Sequence, residues 1–195
     1  RLALTATATP KVLEDICRFF EIAPECATRT GFYRPNLTLL TTPLEPADRD
    51  REILERIEQT KGPKIVYVTL QRTAERVAEN LSNAGFPARA YHAGMKDEVR
   101  NEVQDWFIQS DDATVVATIA FGMGIDKANI RGVFHYNLPK SLENYSQEIG
   151  RSGRDGEPAI CEMFVCLDDL NTLENFAYGD TPGVDSVRGL LNEVF

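Results

Sequence analysis

The sequence has few cysteines and no apolar run that approaches the roughly 20 residues needed to cross a bilayer. Its four cysteines among 195 residues are irregularly spaced, and the closest two, Cys161 and Cys166, stand five apart. This fits neither a CxxC metal knuckle nor a dense disulfide framework. We therefore expect buried free thiols at all four positions, no zinc site and no membrane partner; the other two are Cys17 and Cys26.

A starting Met, an apolar signal region and a basic leader are missing from the opening residues Arg1–Leu4. Nothing in this opening suggests export, so we expect a cytoplasmic protein. We also expect the natural polypeptide to continue before Arg1.

A general excess of basic residues is missing too, since the formal net charge is −9. Bulk attraction to nucleic acid is excluded, because phosphate contacts rely on a local excess of Lys and Arg. Acidic residues are concentrated in 45–58, in 97–112 and after Asp168, whereas residues 131–154 are richer in Lys and Arg. Any contact with nucleic acid must therefore be local.

No segment reads GxxxxGK followed by Ser or Thr. The chain thus has no phosphate loop, no lysine placed for β- and γ-phosphates and no hydroxyl for the magnesium ion. An early acidic pair behind an apolar strand is missing as well. We expect that this chain cannot hydrolyse a nucleoside triphosphate unaided.

What is present is a regular alternation of strand-like and helix-like segments. Strands are predicted at 64–69, 88–92, 114–119, 131–136 and 159–167, and helices at 47–59, 72–84, 96–109 and 142–149. This order predicts an α/β fold of three layers, a mostly parallel central sheet with helices on both faces. Ligand sites in such sheets lie at the carboxyl ends of the strands. The candidate loops begin at Thr69, His92, Ile119 and Asn137.

The N-terminal residues are organised differently. A short apolar strand is predicted at 2–5, and Thr9 and Pro10 suit the N-cap and first position of a helix. Residues 28–42 alternate in a way that suits an extended connector or a strand. Two finer predictions concern burial: His135 is expected to be a satisfied core residue, and Val99, Val103, Trp106 and Phe107 are expected to face inward on one helix.

The most informative segment is QEIGRSGRDG at residues 147–156. Arg151 and Arg154 stand three apart among glycines, so two planar cations lie on a backbone with little steric bulk. This suits bidentate contact with phosphate oxygens presented by another surface. A solvated polar loop is the alternative, because Gly and Arg are both common in loops.

A second segment, TIAFGMGID at residues 118–126, follows the most apolar strand. Gly122 and Gly124 allow the backbone to approach a ligand closely, and Asp126 supplies acceptors for ribose hydroxyls or for an arginine. The spacing is not GxGxxG, and a plain tight turn is the alternative.

Residues 114–168 together resemble motifs V and VI of the RecQ-type branch of superfamily 2 DNA helicases. FYRPNL at 32–37, IVYVTLQRTAERVAENL at 65–81 and ARAYHAGM at 88–95 resemble the connector, motif IV and the next segment of that family, in order. LALTATAT at 2–9 resembles motif III. The resemblance implies a RecA-like fold, in a protein with two such domains and ATP in the cleft between them.

The resemblance also implies an organisation for the chain. Residues 1–27 would be the last strand and helix of the first RecA-like domain, 28–46 the interdomain connector, 47–170 the second RecA-like domain and 171–195 a C-terminal extension. In the extension we expect a turn at 178–182 and a short helix with Val187, Leu190 and Leu191 on one face.

Roles follow from the resemblance residue by residue. Arg151 and Arg154 would stabilise charge on the γ-phosphoryl group, with Arg154 as the arginine finger and Gln147 beside the γ-phosphate. ATP would also be bordered by Gly122, Gly124, Asp126 and Gly150. Contacts with the nucleic-acid backbone would come from Thr69, Gln71, Arg72, His92 and Thr118.

The activity implied is that of an ATP-dependent DNA helicase acting in DNA repair and recombination, associated with the nucleoid if the source is bacterial. Its cofactors would be ATP and Mg²⁺, with the Mg²⁺ ligands in the first domain. Its partners would be DNA, at a junction of single and double strands, and that first domain. The alternatives are an RNA helicase of the same superfamily, or a non-catalytic nucleic-acid-binding or interaction module that keeps the fold.

Overall fold

The computed structural model of the chain describes residues 2–3, 9–28, 33–122 and 125–178, with side chains up to Asn175. Within these residues there are six strands: β1 Leu37–Pro43, β2 Lys64–Tyr67, β3 Ala88–Tyr91, β4 Thr114–Ala117, β5 Gly132–His135 and β6 Ala159–Val165. The α-helices are α1 Pro10–Phe20, α2 Arg49–Gln59, α3 Gln71–Asn83, α4 Asp97–Gln109, α5 Leu142–Ile149 and α6 Asp168–Tyr178.

All six strands form one parallel sheet in the order β1-β6-β5-β2-β4-β3. The three central strands are in level register, because Tyr67 pairs with Ala117 on one side and with His135 on the other. The loops that leave β2, β4 and β5 therefore start side by side at one edge of the sheet. This is the arrangement that parallel strands with helical crossovers produce.

Two apolar layers cover the sheet, since successive strand residues point to opposite faces. Ile65 and Tyr67 pack with Val103 and Phe107 of α4 on one face. On the other face Val66 packs against α2 and α3 through the buried residues Ile53, Ile57, Ala74, Val77 and Leu81. The predicted α/β fold of three layers, with helices on both faces, is confirmed.

The prediction that Val99 faces inward was wrong, because Val99 is 40% exposed although Val103 and Phe107 of the same helix are buried. Residues 37–43 form the edge strand β1, which was one of the two alternatives given for this segment. Helix α6 was not predicted. The strand at 2–5, the turn at 178–182 and the terminal helix with Val187 lie wholly or mostly outside the described residues.

Helix α1 begins as predicted. The Thr9 hydroxyl accepts the Val12 N–H at 3.3 Å, and Pro10 takes the first helical position. No residue of α1 is buried, and Phe19 is 80% exposed. The assignment of this helix to another motor domain stays a prediction.

The cysteines divide into two classes. Cys161 and Cys166 are buried free thiols, as predicted, whereas Cys26 is exposed and Cys17 lies between these extremes. Prediction of burial was therefore wrong for Cys26. Among the described residues no helix combines the length and apolarity that a bilayer crossing requires.

Candidate functional site

The segment with the two arginines, residues 150–157, is here called the arginine loop. It follows α5, whose N-cap residue Ser141 accepts the Asn144 N–H through its hydroxyl at 3.2 Å. Gly153 has a positive φ of 53° and donates its N–H to the Ile130 carbonyl at 2.9 Å. The Ser152 side chain is fully buried and donates to the Ile149 carbonyl at 2.6 Å. The loop is therefore fixed by internal bonds rather than being a freely solvated turn.

Two residues from before β1 hold the same loop. Arg34 donates to the carbonyl oxygens of Ser152 at 3.2 Å and Gly153 at 2.6 Å. Asn36 donates to Gly153 at 2.8 Å and to the Glu157 carbonyl at 2.9 Å. Arg34 and Asn36 thus brace the arginine loop from more than a hundred positions away in the sequence.

Arg151 folds back onto the segment that follows β4. Its guanidinium donates to the Gly122 carbonyl. Gly122 has φ +115°, and a Cβ at this position would collide with the guanidinium itself. The Nε atom of Arg151 is buried without a hydrogen-bond partner among the described residues. Gly122 and Arg151, predicted to lie at one site, are therefore in direct contact.

Arg154 points outward from the same edge. Its Nη1 lies 3.5 Å from the Ile125 carbonyl and 3.8 Å from the Asp126 carboxylate. Because 41% of the Arg154 side chain and 97% of the Asp126 side chain are exposed, the attraction between them is weak. Arg131, outside the loop, forms a bidentate ion pair with Asp155 that holds the far side of the loop. The charge of Arg154 is thus open to an incoming anion.

Beneath Arg151 lies a buried polar group, here called the His135 cluster and consisting of Tyr67, His135 and Glu148. His135 Nε2 lies 2.7 Å from Glu148 Oε2, and the Tyr67 ring stacks on His135 with centroids 5.4 Å apart. The Tyr67 hydroxyl donates to the Phe121 carbonyl at 3.4 Å, next to the Gly122 carbonyl that accepts from Arg151. Burial raises the pKa of Tyr67 well above its ordinary value, and the positive charge of Arg151 opposes this rise.

The ends of β2, β4 and β5 surround a hollow, here called the strand-end cleft, with a cavity volume of about 60 Å³. The predicted contact residues Thr69 and Thr118 line it, together with His135, Asn137, Lys140 and Glu148. Asn137 accepts the Thr69 N–H at 3.2 Å and donates to Asp169 of α6 at 2.8 Å. Helix α6, which sequence reasoning missed, therefore fixes one wall of the cleft.

The other residues predicted to contact nucleic acid differ in their exposure to solvent. Gln71 and Arg72 are exposed in the first turn of α3, whose N-cap residue Leu70 gives it no side-chain hydrogen bond. His92 is only 5% exposed, and its Nε2 lies 3.2 Å from Glu75. Its contact with nucleic acid stays a prediction that this geometry does not support.

Gln147 is exposed on α5, and Gly150 is its C-cap. Gly124 lies outside the described residues. Among those that are described, no group of three or more His, Cys, Asp or Glu is placed to hold a metal ion.

Comparison with known proteins shows the family to which this chain belongs. Residues 49–156 match the model of the helicase conserved C-terminal domain. The chain is 43% identical over 170 residues to the ATP-dependent DNA helicase RecQ of Bacillus subtilis and 38% identical over 185 residues to the RecQ-like DNA helicase BLM of Xenopus laevis. These matches cover 87% and 93% of the chain. The chain belongs to the helicase C-terminal domain family, in its RecQ-type branch.

This RecQ-type domain is short beside its relatives, since it spans 28% of the B. subtilis RecQ and 14% of the X. laevis BLM. Solved structures agree on its fold. It superimposes on domain 2 of the DEAD-box helicase Mss116p with a TM-score of 0.61 at 19% identity, covering 72% of this chain and 59% of that one. The S. cerevisiae Dbp5 bound to Gle1 gives 0.68 at 20% identity, covering 97% and 52%.

Several residues whose role sequence reasoning missed shape the site of this RecQ-type domain through their side chains. Arg34 and Asn36 were recognised only as part of a connector, yet their side chains hold the arginine loop. Glu148 was inside the quoted motif without a role, and Asn137 only marked the start of a loop. The one available signal was position, because Asn137 lies two residues after the end of the buried strand β5.

Proposed function

We propose that this domain is the second motor domain of an ATP-dependent DNA helicase and supplies arginines to ATP held by the first RecA-like domain of the same protein. The observation that carries this proposal is the convergence of Arg151 on Gly122 and of Arg154 towards Asp126 at one edge of the sheet. Parallel α/β sheets bind their ligands at this edge.

The two arginines have different parts in this proposal. Arg154, exposed and only loosely paired, is the arginine finger that stabilises charge developing on the γ-phosphoryl group. Arg151 is held close to the backbone of residues 121–122 and adds a second positive charge beside it. Gln147, Gly150, Gly124 and Asp126 border the nucleotide. An arginine presented in this way contributes about 10³ to 10⁵ in turnover.

The strand-end cleft is the proposed path of the DNA backbone. Thr69 and Thr118 line it, and Lys140 adds a positive charge to its rim. The first turn of α3, with Gln71 and Arg72, adds amide N–H groups that its N-cap residue leaves without a side-chain partner. Contacts of this kind track the backbone without reading sequence. They fit a domain whose overall charge is negative.

ATP and Mg²⁺ enter the proposal through the first domain. Among the described residues no group of three or more His, Cys, Asp or Glu is placed to hold a metal ion, and the proposal assigns the Mg²⁺ ligands to the other domain. The sequence holds no phosphate loop. This domain alone should therefore show no ATP hydrolysis.

The proposed arrangement also accounts for closure and opening of the two RecA-like domains. ATP between the two domains favours closure through its contacts with the arginines, and loss of the γ-phosphate removes those contacts. Repeated closure and opening would move the two domains along the bound strand. The RecQ of B. subtilis and the BLM of X. laevis carry DNA helicase in their names, which supports DNA over RNA as the substrate.

A non-catalytic module with the same fold is the rival proposal, and turnover separates the two. In the complete protein, Arg154→Ala should lower the kcat of DNA-stimulated ATP hydrolysis by about 10³-fold or more while the DNA Kd changes little. Arg51→Ala is the matched control, since this exposed arginine on α2 pairs only with nearby carboxylates. Unchanged turnover in Arg154→Ala would remove the arginine-finger assignment, and absence of any DNA-stimulated hydrolysis in the natural protein would favour the module.

A further inference from the structure

The His135 cluster has no part in the contacts proposed so far, although it is the most deeply buried polar group at this edge. Its three members come from separate elements: Tyr67 from β2, His135 from β5 and Glu148 from α5. Their relative exposures are 3%, 1% and 6%. A carboxylate and an imidazole are costly to bury, so such a group needs a structural or a functional explanation.

The cluster lies between the two proposed sites. On one side all three residues line the strand-end cleft, beside Thr69 and Thr118. On the other side the Tyr67 hydroxyl donates to the Phe121 carbonyl, next to the Gly122 carbonyl that accepts from Arg151, and the Glu148 carbonyl accepts the Arg151 N–H at 3.3 Å. Tyr67 and His135 are in register on adjacent strands, which is why their rings stack. A displacement on the cleft side therefore reaches Arg151 through two routes.

The hydrogen bonding of the cluster is incomplete. His135 Nε2 has Glu148 as its partner, but Nδ1 is buried without a hydrogen-bond partner among the described residues. Burial of a polar atom without a partner is unfavourable, and the atom gains when a partner reaches it. One ring nitrogen of His135 is therefore left to which a further hydrogen bond can form when the cleft is occupied.

We infer that His135 and Glu148 are positioning residues that transmit occupancy of the strand-end cleft to Arg151. A DNA backbone seated against Thr69 and Thr118 changes the surroundings of His135. The imidazole then shifts against Glu148 and Tyr67, which set the last turn of α5 and the direction of the Arg151 guanidinium. This inference rests on the proposed function and adds to it the means by which DNA stimulates ATP hydrolysis.

The test uses the complete protein and measures ATP turnover without DNA and at saturating single-stranded DNA. The substitutions are His135→Asn, Glu148→Gln and Tyr67→Phe, of which the last removes one hydroxyl and keeps the stacked ring. Glu162→Gln is the matched control, because Glu162 is an equally buried carboxylate paired with Arg56 of α2 instead of facing the cleft. Melting temperatures and the DNA Kd are recorded for each protein.

Coupling predicts a specific pattern. Each of the three substitutions should lower the ratio of stimulated to unstimulated turnover by about tenfold, with the KM for ATP and the DNA Kd nearly unchanged. The double variant of His135→Asn and Glu148→Gln should be no worse than the more severe single variant, since both act through one path. Glu162→Gln should keep the natural ratio.

Three results would overturn the inference alone. The first is a ratio that stays at the natural value in Tyr67→Phe and Glu148→Gln, and the second is a ratio that falls equally in Glu162→Gln. The third is a loss of DNA affinity that accounts for the whole fall in turnover, because the cluster would then belong to the binding surface. If DNA fails to stimulate the natural protein, the proposed function itself is overturned and the inference with it.

Discussion

Two buried carboxylates in this domain, Glu162 and Glu148, have opposite surroundings. Glu162 on β6 accepts from the Thr42 hydroxyl at 2.6 Å and from the Arg56 guanidinium at 2.7 Å, so each of its oxygens has a partner. Glu148 on α5 meets an imidazole whose other nitrogen is unpartnered within the described chain. The first joins β1, β6 and α2, whereas the second lies beside a cleft and an arginine.

The difference separates two uses of buried charge. A carboxylate whose partners are complete stabilises the packing of the elements that carry them, and its removal should affect stability. A carboxylate such as Glu148, whose hydrogen-bonded partner has an unpaired nitrogen, should contribute less to stability and more to the function of the neighbouring site. The following substitutions test that separation.

The largest effect on stability is expected at the Glu162 pair. Arg56→Leu leaves a carboxylate that is 1% exposed without its cation, which should lower the free energy of unfolding by about 3 to 5 kcal/mol. His135→Asn should cost less, about 1 to 3 kcal/mol, because it leaves one hydrogen bond unmade. Urea unfolding measures both. Arg51→Leu on the same helix is the control, and equal losses for Arg56→Leu and His135→Asn would abolish the distinction.

A fall in turnover smaller than that of Arg154→Ala is expected at Gly122. Gly122→Ala places a Cβ against the Arg151 guanidinium and strains a φ of +115°. In the complete protein kcat should fall by about 10²-fold, since Arg151 must leave its position. Gly85→Ala is the control, because its φ is +91° but nothing lies within 4 Å of the added Cβ. A similar loss of turnover in Gly85→Ala would show that backbone strain, rather than the arginine, was responsible.

A smaller effect is expected where the connector braces the arginine loop. Arg34→Ala removes bonds to the Ser152 and Gly153 carbonyls, which should cost about 2 kcal/mol in unfolding free energy. Hydrogen exchange should accelerate at the Gly153 and Gly156 amides, whose bonds close the loop. Exchange in β2 should stay slow. If the loop amides are as protected as before, the brace contributes nothing to the order of the loop.

The fold could be predicted because each element carries its own signal. Four-residue strands such as β2 and β4 are wholly buried and apolar or nearly so, and the glycine after α3 marks its end. The position of the site followed from the same order, since parallel strands carry their ligand loops at one edge. Gly122, Arg151, Arg154 and Asp126 were predicted together and lie together. Their catalytic roles stay predictions.

Other features leave no local pattern. The contact between Arg34 and the arginine loop joins residues 119 positions apart, and nothing within either segment predicts it. Val99 has the helical spacing of a core residue. That spacing predicts which face of the helix Val99 lies on, but not whether the sheet extends far enough to cover it. The partner of His135 required the fold, because Glu148 and His135 meet only once α5 packs beside β5.

The smallest expected effect is a difference in alkylation rate between Cys161, beside the arginine loop, and Cys166, in the body of the domain. Burial raises the pKa of Cys161 to about 11, although the Ser152 hydroxyl 3.1 Å away opposes this. Because the thiolate is the reactive form, the alkylation rate of Cys161 should be low and should keep rising with pH up to about 11, while exposed Cys26 reacts first.

Cys166 bonds to Arg49 and to the Leu44 carbonyl, away from the arginine loop. Arg34→Ala also removes a positive charge that lowers the pKa of Cys161, but opening of the loop should outweigh this and speed alkylation of Cys161, measured by mass spectrometry, while Cys166 stays unchanged. Equal acceleration at both thiols would mean that the loop and the body of the domain open together.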